Sequence, residues 1–235
     1  MKRTIKLIAA YSILTGASGL FAQQSLPPAV QNVVQLSATG SVEVPQDLLS
    51  IAMRTTRDGS DASAVQSQLK GALDAALVEA KKTAQPGQLD VRTGNFSLYP
   101  RYGRDGKPIG WQGSAELILE GRDFARISSA AGKITTLTVS HVSFGLSREQ
   151  RTRVESEAQG IAIEHFKVHA SDIARSFGFT GYTLREVNVS ASDQGYSPRP
   201  RMLTMEAKAA SDAPVPVEAG KTAVLVTVSG SVQLK

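Results

Sequence analysis

The sequence predicts an α+β fold made of two two-layer α/β sandwich subdomains. Three observations lead there. Between Leu48 and Leu146, segments of period two and segments of helical period follow one another as strand, helix, strand, strand, helix, strand. That order is the ferredoxin-like split βαβ pattern (βαββαβ), with two helices on one face of a four-stranded antiparallel sheet. A single apolar-striped run then extends from Ser147 to Gly178, and strand-like segments at both ends of the chain remain for that helix to cover. The expected boundaries are 46–147 for the ferredoxin-like subdomain and 33–45 plus 148–235 for the second, built around a long helix over 147–178 packed on an antiparallel sheet.

Residues 23–32 read as a flexible leader. Val33–Val44 alternates loosely and reads as a strand, in which Gly40 marks either a bulge or a close backbone approach. Pro45 breaks it, and Leu48–Arg57 is a second strand. Asp58-Gly59-Ser60-Asp61 is a turn that supplies an N-cap. Val65, Leu69, Ala72, Leu73, Ala76, Leu77 and Ala80 then recur with helical spacing, and Pro86-Gly87 is the expected stop. Leu89–Pro100 reads as a strand with Val91, Phe96 and Leu98 as its apolar positions and a disruption at Gly94-Asn95. Arg101–Gly110 is a hairpin loop, and Trp111–Glu120 returns as a strand with Ala115, Leu117 and Leu119 on one face.

Asp123 caps a short helix through Ala131, and Thr138–Leu146 is a further strand. In the long helix, Ser147 with Gln150 forms a capping box in its Gln form. Val154, Ala158, Ile161, Ala162, Ile173, Ala174 and Phe177 share its broad apolar face. Glu149 with Arg153, Arg151 with Glu155 and Arg153 with Glu157 are i,i+4 pairs. Gly178 is its C-cap glycine. Tyr182–Ser190 is a strand, 191–221 a long loop, and Val-rich Thr222–Leu234 a final strand suited to a buried central place.

The N-terminus carries Lys2, Arg3 and Lys6, an apolar core from Leu7 to Leu14, and small residues up to Ala22. This is the pattern of a secretory signal peptide over residues 1–22. The apolar run is shorter than the roughly 20 residues a span requires. The full chain holds 26 Lys plus Arg against 21 Asp plus Glu, a net charge of +5. Without residues 1–22 the count is 23 against 21, or +2, so no basic stripe remains to support nucleic-acid binding. The chain has no cysteine, which excludes disulfides, thiolate metal sites and a cysteine nucleophile, and suits an exported chain in an oxidising periplasm.

Motifs that carry chemistry are mostly excluded. Gly220-Lys221-Thr222 ends like a phosphate-binding loop, but Val215 stands where the first glycine must be and a strand follows. Gly103, Gly106 and Gly110 do not fit a dinucleotide fingerprint, and no G-x-S-x-G elbow exists. His165 and His169 lie four apart on the long helix, share a face, and are the weak metal candidates. H-E-x-x-H is absent because Phe166 follows His165. No metal and no cofactor is expected. Tyr99, Arg101 and Tyr102, with Trp111 across the loop, concentrate contact-forming residues at a hairpin tip. Tyr196, Arg199 and Arg201 in the segment Gly195–Arg201 are a second candidate contact. Cover for the sheet end, or a solvated linker, are the plainer roles for the two sets.

The ordered pieces resemble a known family. Gly40-Ser41-Val42-Glu43-Val44-Pro45-Gln46-Asp47 comes first. Thr93-Gly94-Asn95-Phe96-Ser97-Leu98-Tyr99-Pro100 follows after a helix. Val142-Ser143-Phe144-Gly145-Leu146-Ser147 precedes the Ala-spaced helix ending Ala170…Ala174…Gly178, and Pro216-Val217-Glu218-Ala219-Gly220 leads into the last strand. This set resembles the SIMPL-domain family of bacterial periplasmic proteins, which includes oxidative-stress-associated and immunogenic envelope members. The resemblance implies an α+β fold, a periplasmic or outer-membrane-associated place, homo-oligomers that are ring- or channel-like in some members, and no catalytic residues to carry over. Trp111, where Tyr is more usual, and His165-Phe166 with His169 depart from the pattern.

The expected function is therefore a non-enzymatic, self-associating exported protein that supports envelope integrity or stress tolerance. Two alternatives stand beside it: a small-ligand or metal-binding protein or enzyme using the His165/His169 face, and a module that binds an envelope partner through the Tyr99–Trp111 hairpin.

Overall fold

A computed structural model describes residues 31–192 and 215–235. The proposed signal peptide, most of the leader, and Tyr196, Arg199 and Arg201 lie outside the described residues. In chain order the elements are β1 (Val33–Pro45), β2 (Leu48–Gly59), α1 (Ala62–Lys81), β3 (Asp90–Tyr102), β4 (Pro108–Gly121), α2 (Phe124–Lys133), β5 (Thr138–Gly145), α3 (Arg148–Ser176), β6 (Tyr182–Ser192) and β7 (Lys221–Leu234). They form an α+β fold with two antiparallel sheets, one ordered β3-β4-β2-β5 and the other β1-β7-β6.

The four-stranded order is the ferredoxin-like one. Its inner face carries Leu49, Ile51 and Met53 of β2 and Ala115, Leu117 and Leu119 of β4, all buried. Helix α1 lays Val65, Leu69, Leu73, Ala76 and Ala80 on that face, and α2 adds Ile127, Ala130 and Ala131. Alternation in the strands and a 3.6 period in the helices thus meet in one apolar layer. Each helix starts on an aspartate: Asp61 accepts from the Ala64 amide at 2.8 Å and Asp123 from the Arg126 amide at 2.9 Å. Helix α1 ends at Lys81, earlier than the expected stop at Pro86-Gly87. The reason is local: Gln85 and Leu89 pair across a tight turn that already carries the chain back toward β3.

In the second sheet β7 is central, as its Val-rich face requires: Val224, Val226, Val228 and Val232 are buried. Helix α3 crosses it with Val154, Ala158, Ala162, Phe166, Ala170 and Ala174, an i,i+4 line of mostly small residues. Small side chains let the helix backbone come close, and Gly40 on β1 lies directly beneath it. A Cβ there would lie 2.1 Å from the Ala158 carbonyl oxygen. The β1–β7 register runs unbroken through Gly40, so the glycine serves a close approach and no bulge. The helix closes at Gly178 (φ 80°), where the Phe179 amide donates to Ala174 O at 2.9 Å and the Gly178 amide to Arg175 O at 3.0 Å. That is a Schellman end. Phe177, expected on the apolar face, is instead the C-cap residue of the helix and is 70% exposed. Phe96 is also exposed: it lies on edge strand β3, beyond the disruption at Gly94-Asn95.

Candidate functional site

Residues 42–47, the later part of the Gly40–Asp47 segment, converge on one junction between the two sheets. Only Gln46 and Asp47 separate β1 from β2, which belong to different sheets. The Gln46 amide donates to Gly220 O at 3.0 Å and the Asp47 amide to Gly145 O at 3.1 Å. The Asp47 carboxylate accepts from the Ser147 amide at 2.7 Å and from its hydroxyl at 2.6 Å. Ser147 Oγ in turn accepts from the Gln150 amide at 3.3 Å, so it is the N-cap of α3. The expected capping box therefore changes its second arm. Asp47, distant in sequence, takes the Ser147 amide, and the Gln150 side chain accepts from Arg153 at 2.5 Å instead. Glu149 likewise pairs with Arg122 rather than Arg153. Leu146, Val154 and Val224 are buried beneath this junction, with Val42 and Val44 packed on them. Proline at position 45 gives up an amide where the strand ends anyway.

The hairpin residues separate into two faces. Trp111 on β4 pairs with Pro100 and Gly59 and packs half-buried against the core under α1. Tyr99 pairs with Gln112, one position along, and so projects from the opposite face of the sheet. Tyr99 and Tyr102 are exposed, Tyr102 at 62%. Arg101 sits opposite Gly110 and reaches past it to Asp58 of β2 at 3.7 Å. Trp111 is thus a core-facing residue, while Tyr99, Arg101 and Tyr102 lie at the surface. Gly106 (φ 75°) turns the loop between them, its amide donating to Gly103 O at 3.0 Å.

His165 and His169 do line one shallow, open depression, shared with Ser37, Ala38 and Thr39 of β1 and with Val168 and Asp172. His165 Nδ1 lies 3.0 Å from Thr39 O, and because a carbonyl only accepts, Nδ1 is the donor of this bond. Asp172 is engaged by Arg175. Among the described residues no group of three or more His, Cys, Asp or Glu side chains is placed to hold a metal ion. A second concavity of about 450 Å³ lies on the outer face of the three-stranded sheet, where Gln35, Ser37, Glu186, Asn188, Ser229 and Ser231 form two polar rows. It escaped sequence reasoning because alternating polar positions look like any solvated strand face.

The perturbed acids sit at helix starts. Asp61 is held below the ordinary 3.8 by the Ser63 hydroxyl and then by the Ala64 amide. Asp123 is lowered first by the Arg126 amide and then by its guanidinium. Both shifts belong to capping, and neither acid lies in either concavity.

A family model described as "SIMPL: Protein of unknown function (DUF541)" matches residues 34–232. No curated protein matches the chain. Among solved structures, "The crystal structure of AtUAH in complex with glyoxylate" matches at 14% identity and a TM-score of 0.24, covering 56% of this chain. The chain spans about a third of that structure's length, 34%, and a superposition this loose carries no argument.

Proposed function

From the premise that the chain belongs to the SIMPL (DUF541) family, we propose that it is a non-enzymatic, exported protein that self-associates and supports envelope integrity and tolerance of oxidative or envelope stress. The observation that carries this reading is the use made of the motif residues. Gly40, Pro45, Asp47 and Ser147 are spent on seating α3 and joining two sheets. A motif that specifies a junction suits a protein that acts through its shape and surfaces. The charged n-region, apolar core and small residues of the first 22 positions support export. The exposed Tyr99, Arg101 and Tyr102 offer residue types that favour contacts. With no cysteine, any protection from oxidants would not run through thiol reduction by this chain.

Two measurements test it. Light scattering on the chain lacking residues 1–22 is expected to give a mass above that of one subunit; a monomer at every concentration removes self-association. Loss of the gene is expected to raise sensitivity to oxidants or detergents, and unchanged sensitivity removes the physiological part.

The depression beside β1 favours a second reading, metal binding by His165 and His169, because the Thr39 carbonyl fixes one tautomer of His165. Retention of zinc or copper after gel filtration, lost in His165→Ala, would support it; no retained metal and no shift in Tm would remove it.

A further inference from the structure

The second sheet leaves one strand uncovered. Helix α3 packs on β1 and β7 and barely reaches β6. Leu184, Val187 and Val189 face the helix side, since they pair with Val232, Gly230 and Val228, whose face is the buried one. Yet they are 54%, 40% and 43% exposed. The outer edge of β6 also has no partner strand among the described residues, so its amides and carbonyls are open to pairing.

The strand carries a bulge that sets its pattern. Leu184 pairs with Val232 and Glu186 with Ser231, which leaves Arg185 as the extra residue. Leu184 and Val187 therefore share the apolar face, with Arg185 and Glu186 between them. Gly230 serves this arrangement, because a Cβ there would lie 2.2 Å from the Glu186 carbonyl oxygen.

We propose that β6 docks antiparallel against β6 of a second copy of this chain, about a two-fold axis between Arg185 and Glu186. The proposal rests on the self-association put forward above and names its surface. In this register Leu184 lies opposite Val187 of the second copy, and Tyr182 opposite Val189. Arg185 lies opposite Glu186 of the second copy, twice by symmetry. Every residue from Tyr182 to Val189 then meets one that faces the same way. A register centred on Val187 would instead set Arg185 against Val189. Charges on a free edge ordinarily discourage pairing. Here adjacent charges of opposite sign make one self-pairing complementary and penalise shifted ones. The two three-stranded sheets would become one continuous sheet, and the two apolar stripes would lie side by side and bury their facing flanks as cross-strand pairs.

A charge swap tests it, read by sedimentation of the chain lacking residues 1–22 over a wide concentration range. Wild type is expected to self-associate. Arg185→Glu and Glu186→Arg are each expected to weaken association at least tenfold, and the double variant R185E/E186R to recover it. Val187→Lys gives an independent break, and an unchanged Tm shows that each variant is folded. A wild type that stays monomeric overturns the self-association reading itself. A wild type that associates while all three single variants associate equally well overturns this surface and leaves that reading standing. Weakened single variants with no recovery in the double variant overturn the register.

Discussion

Gly40 and Asp47 fix α3 from opposite directions, one by having no side chain and one by having a charged one. At Gly40 the helix backbone occupies the space a Cβ would need, 2.1 Å from Ala158 O and 2.6 Å from Ala162 N. Backbone on both sides cannot yield as a flexible side chain can. Gly40→Ala is therefore expected to destabilise the fold by about 1–3 kcal/mol, the usual range for overpacking, read from urea midpoints. A midpoint unchanged from wild type would mean that α3 slides freely on β1. Asp47→Ala removes two hydrogen bonds to a charged acceptor and leaves the Ser147 amide buried without its partner. Its expected cost is about 1.5–3 kcal/mol. The two roles were unequally legible. Gly40 stood out because glycine inside a strand pattern asks for a reason, and the two available reasons could be stated beforehand. Asp47 did not, because its partner is 100 residues away and only the folded chain brings them together. Trp111 was a contact candidate with cover for the sheet end as its plainer role, and the structure favours the plainer one. Its type suggested a contact surface, but its parity on β4 turns it to the core. Trp111→Ala should cost several kcal/mol, in the range of about 3–5 for a large aromatic, whereas Tyr102→Ala should leave stability within about 0.5 kcal/mol. Equal costs in thermal melts would refute that division.

Among the elements, the helices were the most readable, since N-cap residues and apolar periods are local signals. Asp61, Asp123, Ser147 and Gly178 all cap where expected. What the local signals missed was Asp47, brought by another element to the start of α3, and the tight Gln85–Leu89 turn that stops α1 before Pro86. The exposed apolar face of β6 was hidden for a related reason. Alternation says that a face is apolar, and only the path of α3 says whether it is covered. The two cap aspartates give the α1 and α2 starts a pH dependence whose sign is fixed. Their carboxyls titrate lower in the folded chain than the ordinary 3.8. Each therefore contributes stability that is fully present above that value and is lost as pH falls through the folded one. The double variant D61N/D123N keeps a capping side chain but cannot titrate. The stability advantage of wild type over this variant should be constant from pH 7 to 5 and shrink below pH 4. Parallel pH profiles for the two proteins would show that these caps do not govern acid stability.

The whole molecule is held together where β1 turns into β2, and this makes its two sheets depend on each other. The connection is too short to act as a linker. Its two residues are both tied down, Gln46 to Gly220 and Phe144, Asp47 to Gly145 and Ser147. The dependence runs further through the chain leading into β7. Val215 and Val217 pack against the core of the four-stranded sheet, and Ser128 of α2 donates its hydroxyl to Val215 O. Unfolding either sheet must break these contacts and expose Leu146, Val154 and Val224 at once. The chain should therefore unfold in one cooperative transition. Trp111 is the chain's sole tryptophan and reports on the four-stranded sheet by fluorescence. Amide exchange in α3 at Ala158 and Ala162 reports on the other sheet. In wild type the free energies of opening from the two probes should agree. Asp47→Ala should lower both and separate them, with α3 opening first, because its N-terminus loses the tie that couples it to β2. Separate transitions in wild type would mean that the two sheets are independent units on a shared chain, and the junction would then be a packing contact with no role in coupling them.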